Sequence, residues 1–260
     1  NYDLKYNYLK SLKKQDLFVT LQCGGNRRGE LNIIDKTLGT PWNNGAISNG
    51  KFTGIFLRDI LPKNISDNIK YVNVKGYDDV EISLPIEKIL DNNGDVLLAY
   101  NMNNQELLPD HGFPLRLIVP GYVGIRNIKW VKSIKLSETP VNSSWHSSIS
   151  YKCLPNYIKN KEQLKNINLD LDNYNSMYCL PVQSFICDVV EEEEYYIIKG
   201  IAYSGGGRGI LRVDVSIDDG YTWDIAELKE GNEQNVLKSW AWTFWEYKVD
   251  KSEVQENLLL

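Results

Sequence analysis

The sequence predicts an α+β chain, a mixed domain in which strands outnumber helices followed by a β-sandwich, and three observations predict it. Strand-like segments at 17–22, 71–84 (an alternating hairpin) and 96–102 are separated by turn-rich segments, and only short stretches carry helical spacing. An Asn/Lys/Asp-rich segment, 156–178, then interrupts the pattern and reads as a linker. Beyond it come five strand-like runs joined by Gly- and Asp-rich turns, in which Val213, Val215 and Ile217 alternate with polar neighbours as one face of a sheet requires. The expected division is a first domain at 1–155, a linker at 156–178 and a second domain at 179–260.

Taken in order, YLKSLKKQ predicts a short helix leading into the strand 17–22. A loop with Gly39, Pro41 and Trp42 follows, then an amphipathic helix expected over roughly 53–61. Trp42 in that polar loop either caps the core or walls a cleft. Residues 71–84 alternate through a GYDD turn as a hairpin, where Asp78 is a turn residue or, if the turn faces a cleft, a ligand contact. PIEKIL carries proline at the first turn of a helix, and VLLAYNM is a near-continuous apolar run, hence a buried strand.

The chain has 260 residues and a net charge of −5, which argues against nucleic acid as the partner. No run approaches the length of a membrane span, and the polar opening NYDLKYNYLK is not a signal peptide. The four cysteines, at 23, 153, 179 and 187, have no C-x-x-C spacing and do not form a disulfide framework. With only His111 and His146 available, a histidine-based metal site is not expected, so a metal must arrive with most of its ligands attached.

Two segments concentrate polar chemistry. LQCGGNRRGE, 21–30, turns a strand on two glycines so that the Cys23 sulfur stands beside Arg27 and Arg28. The bland alternative is a small core cysteine next to a solvated corner. Downstream, His111 lies in a Pro-punctuated loop, Arg116 interrupts an apolar strand and needs an anionic or carbonyl partner, and Arg126 and Lys129 follow. Four anion donors are thus expected to converge in a chain that is acidic overall.

These segments carry a resemblance. LQCGGNRR and DHGFPLRLIVPGYVGIRNIKW resemble the cysteine and cofactor-binding segments of the sulfite oxidase and eukaryotic nitrate reductase molybdenum-cofactor domains, and GAISNGKFTGIFLRDIL and LLAYNMNNQELLPDHG match the intervening pieces in order. KGIAYSGGGRGILRVDVSIDDGYTW resembles the family's immunoglobulin-like dimerisation domain, although five strands leave that sandwich incomplete.

The resemblance implies a molybdenum–molybdopterin cofactor with Cys23 as the protein ligand to the metal. Asp78, His111, Arg116, Asn127, Ile128 and Lys129 would hold the pterin and its phosphate. Arg28, Trp42 and Tyr151 would form the substrate pocket, and Tyr151-Lys152 favours the sulfite oxidases over the nitrate reductases. The implied activity is two-electron oxidation of sulfite to sulfate. Alternatives are nitrate or sulfoxide reduction on the same scaffold, or a non-catalytic relic serving as a dimerisation module. A homodimer through the second domain is expected, with cytochrome c or oxygen as electron acceptor and no nucleic acid or membrane partner. The family's terminal segments have no counterpart, suggesting a fragment, and no His-Pro-Gly-Gly haem pattern occurs, so no haem is expected in this chain. Localisation is left between the mitochondrial intermembrane space and the cytosol.

Overall fold

A computed structural model describes residues 5–160, 162–163 and 170–254, so the middle of the expected linker and the last six residues lie outside the described residues. The chain divides into two compact units, 1–179 and 180–260.

The first unit opens with α1 (Tyr6–Ser11), shorter than YLKSLKKQ suggests, and β1 (Gln15–Gln22). After the cysteine turn comes α2 (Arg28–Ile34), then β2 (Ile47–Phe56). The helix expected over 53–61 is therefore corrected to the end of a strand and a single 3-10 turn at Leu57–Asp59. Phe52, Ile55, Phe56 and Ile60 mimic helical spacing, but β2 is clamped between β1 and a later strand, and buried ladder pairing on both edges outweighs a weak local period.

The hairpin forms as β3 (Tyr71–Gly76) and β4 (Glu81–Pro85), and α3 (Ile86–Leu90) follows directly from Pro85 at its N-cap. The buried strand is β5 (Leu97–Met102), succeeded by β6 (Gln105–Glu106), β7 (Arg116–Ile118) and β8 (Val131–Ser137). One antiparallel sheet runs β1-β2-β5-β6, with β7 also on β5, and a second runs β4-β3-β8. Ile55 and Leu98 from the first sheet, and Leu57 from the 3-10 turn after β2, pack with Val72, Val74, Ile82 and Leu84 from the second, forming one core. Each such side chain, fully withdrawn from water, contributes about 1.5–3 kcal/mol.

The exposed edge of β4 is sealed by its own downstream loop. Ser143 Oγ donates to Glu81 O at 2.6 Å, Val141 N to Ser83 Oγ at 2.8 Å, and the Ser83 amide reaches His146 Nδ1 at 3.3 Å. This ties 141–146 to the sheet and sets where the chain enters Tyr151.

In the second unit β9 (Val182–Glu191), β10 (Tyr195–Ser204), β11 (Asp214–Val215), β12 (Asp224–Ile225), β13 (Glu227–Leu228) and β14 (Thr243–Asp250) appear in order. A four-stranded sheet, β13-β14-β10-β9, is accompanied by the β11-β12 ribbon, and Val213, Val215 and Ala226 pack on Ala202 and Trp245.

Candidate active site

The turn after β1 is tight. The amide of Cys23 donates to Ala46 O at 2.9 Å, that of Asn26 to Cys23 O at 3.0 Å, and the Gly25 amide points at Cys23 Sγ from 3.4 Å. Arg27 closes the turn in the left-handed region, φ 62°, and starts α2. The cysteine is thereby kept out of the core: its side chain is exposed and lines a cavity of about 990 Å³ in the first unit.

Around that cavity stand six cationic side chains, Arg28, Lys36, Arg116, Lys129, Lys152 and Lys159, against two carboxylates, Asp35 and Asp78. How the cations are held decides the site's character. Arg28 donates to Thr40 O at 2.8 Å, Arg116 to His111 O at 3.0 Å, Lys129 to Asp110 O at 2.8 Å and Lys152 to Tyr174 O at 2.9 Å. Main-chain carbonyls orient these groups without neutralising them, so positive charge is left over for an anion. Among the described residues, only Lys159 of this set is matched by a carboxylate, that of Asp35.

Arg116 is the most withdrawn of the set, 8% exposed, and its Nε has no hydrogen-bond partner. Burial pulls its guanidinium down to about 10, still charged at neutral pH. Arg28 is placed by the glycines of two loops: a Cβ on Gly25 would stand 2.8 Å from its Nη1, and one on Gly39 would collide with the same atom. Trp42, half exposed, forms the wall beside it rather than capping the core.

Tyr151 enters from the loop tied to β4. Burial first, then the Cys23 sulfur, raise its phenol above the usual range, while Arg126 pulls the other way. Asp78 lines the cavity at the hairpin turn, its Oδ1 accepting from Val80 N at 3.3 Å. Asn127 and Ile128 also line it, but much of their polar capacity is used internally: Asn127 Oδ1 accepts from Val119 N at 2.7 Å, and Ile128 O from Leu117 N at 2.7 Å.

His111 contributes by its carbonyl to Arg116, and its imidazole is not among the groups lining the cavity. Arg126 departs from the expected convergence of four donors. It is fully buried away from the cavity, spending its N–H groups on Met177 O, Trp145 O and His146 Nδ1. Lys36 and the rim formed by Asn156, Ile158 and Lys159 were not singled out by sequence, because the latter three sit in the stretch read as linker.

A two-unit α+β chain with an open thiol in a cation-rich cleft is a protein built to hold an anionic group against sulfur. The chain belongs to the oxidoreductase molybdopterin binding domain family, whose model matches residues 1–145, and residues 166–260 match the Mo-co oxidoreductase dimerisation domain. It is 38% identical to the mitochondrial sulfite oxidase of Rattus norvegicus over 98% of this chain and 48% of that protein, and 36% identical to the sulfite oxidase of Gallus gallus over 91% and 53%. The NADPH nitrate reductase of Emericella nidulans is 31% identical over 92% of this chain and 31% of its own length. The crystal structure of the sulfane dehydrogenase SoxCD from Paracoccus pantotrophus superposes with a TM-score of 0.75 at 25% identity, covering 95% of this chain and 60% of that one. The chain thus spans about half the length of the sulfite oxidases it matches. Among the described residues no helix is long and apolar enough to cross a membrane.

Proposed function

We propose that this chain carries the molybdenum-cofactor centre of a sulfite oxidase, oxidising sulfite to sulfate by two electrons. The observation that carries the reading is the Cys23 thiol opening into a cavity whose cations are held by carbonyls. The donor set fits the cofactor: thiolate sulfur is a soft ligand for a transition metal, and the spare Nε of buried Arg116 suits a phosphate.

When bound, the cofactor supplies the two-electron redox chemistry. Cys23, as the thiolate, would be the protein ligand to the metal. Arg116 and Lys129 hold the phosphate, and Asp78, with the His111, Asn127 and Ile128 segments, positions the pterin. Arg28 draws the sulfite dianion in against the indole wall of Trp42, and the Tyr151 phenol donates a hydrogen bond to its oxygens. Main-chain oxygens already occupy part of each cation's donor capacity, so the side chains are oriented before the anion arrives. The homodimer would form through the second unit, with cytochrome c or oxygen accepting the electrons, no haem in this chain, and the mitochondrial intermembrane space or the cytosol as the compartment.

Nitrate reduction is the second reading, favoured by the similarity to the fungal nitrate reductase. A dye-linked assay with sulfite and with nitrate separates the two. Cys23→Ser in the full-length protein is expected to lower sulfite-dependent dye reduction to under a few per cent with an unchanged unfolding temperature. Retained turnover removes Cys23 as the ligand, and a wild-type protein purified with little molybdenum favours a non-catalytic relic.

A further inference from the structure

Arg126 is a cation fully buried with no carboxylate against it among the described residues. Such a charge is tolerated only where neutral acceptors and aromatic faces replace water. Nε donates to Met177 O at 3.0 Å, Nη1 to Trp145 O at 3.1 Å and to His146 Nδ1 at 3.0 Å, while Nη2 makes no hydrogen bond. The guanidinium carbon lies 5.9 Å over the ring of Tyr151 and 5.3 Å over that of Tyr178.

His146, 2% exposed, is the one side chain among the described residues that accepts from this arginine. Its Nδ1 faces two donors, Arg126 Nη1 and the Ser83 amide at 3.3 Å, which dictates the tautomer protonated on Nε2. That nitrogen lies 3.4 Å from Ser176 Oγ. The ring therefore has no free position for a second proton. Burial, then the Arg126 and Lys152 charges, hold it down to about 4, consistent with an acceptor that stays neutral.

We infer that His146 is a positioning residue for the proposed reaction: as a fixed neutral acceptor it pins Arg126 against the face of Tyr151, and so determines where the phenol points into the cavity. The inference deepens the proposed function and rests on its reading of Tyr151. Through Ser83 the same ring locks the Tyr151 loop to the edge of β4, so the phenol is referenced to a sheet rather than to a free loop.

The test uses the full chain labelled with 3-fluorotyrosine, the Tyr151 fluorine resonance being assigned by its loss in Tyr151→Phe. In His146→Asn, whose side-chain oxygen can stand where Nδ1 was, the resonance is expected to keep its position and width. In His146→Phe, which fills the space without an acceptor, it is expected to shift and broaden. In the cofactor-loaded enzyme kcat for sulfite is expected to fall at least tenfold in His146→Phe with KM changed less than about threefold, and to recover in His146→Asn.

An unmoved fluorine resonance in His146→Phe overturns the inference, as does an equal displacement in both variants, which would mean that packing alone matters. If His146→Phe does not unfold cooperatively, Arg126→Lys, which keeps the charge but not the fork, takes its place with the same expected shift. A displaced resonance together with full turnover in Tyr151→Phe leaves His146 as the group that sets the phenol and removes Tyr151 from the proposed chemistry.

Discussion

Arg28 occupies a cradle that side chains on the facing loops would fill. Gly39 has a φ of +111°, strained for any other residue, and its missing Cβ is what leaves room for the guanidinium. Arg28→Gln removes a charge-assisted contact worth about 1.5–3 kcal/mol, so KM for sulfite is expected to rise about 10- to 100-fold with molybdenum content unchanged. Gly39→Ala is expected to move KM in the same direction by displacing the arginine, and steady-state kinetics beside metal analysis check both. At His146 the linkage sign is also fixed. Its folded-state value, about 4, lies below the ordinary 6.5, so between pH 6.5 and 4 the unfolded chain binds a proton that the folded chain refuses. Stability should fall as pH drops through that window, by at most about 3 kcal/mol from this group. Among the described residues, Arg126, Lys152 and Tyr178 are the ionisable groups facing it. Urea midpoints for wild type and His146→Asn are expected to converge as the pH is lowered from 6.5 to 4, since only the wild type loses this contribution.

Among the elements, β2 is one where backbone approaches backbone closely. At Gly54 an added Cβ would run into the main chain of Leu98 on β5, next to a register shift in their pairing. Gly54→Ala is expected to cost about 1–3 kcal/mol by overpacking, read as a lower denaturant midpoint with an unchanged slope. The same strand marks where sequence reading stops. β1, the β3-β4 hairpin and β5 follow from alternation or apolar runs because their burial matches their local period. β2 does not, since Phe52, Ile55 and Phe56 fall at helical spacing and only pairing on both sides resolves the ambiguity. α2 was invisible for the opposite reason. It buries no residue, leaving Leu31, Ile33 and Ile34 exposed, so no apolar stripe announces it. At the site, Cys23, Arg28, Trp42, Asp78, Arg116, Lys129 and Tyr151 line one cavity. Arg126 and His146 lie beneath it, and no spacing rule tells a buried arginine that supports a site from one that lines it.

For the molecule as a whole, charge is distributed against its average. The chain is net −5, yet its cavity gathers six cations against two carboxylates. At short range the cavity field dominates, and salt with a screening length of about 8 Å at physiological strength weakens it. kcat/KM for sulfite is expected to fall as potassium chloride is raised from 20 to roughly 300 mM, mainly through KM, as measured by initial rates. An invariant or rising value would mean that the cations do not act on the incoming dianion. Peptide oxygens neither gain nor lose protons in ordinary buffers, so Arg28, Arg116, Lys129 and Lys152 keep their orientation from mildly acidic to mildly alkaline solution. In the proposed reaction sulfate would leave through the same permanent field that attracts sulfite, and buffers containing phosphate meet it too. A cleft wired in this way would speed the arrival of an anionic substrate and slow the departure of an anionic product.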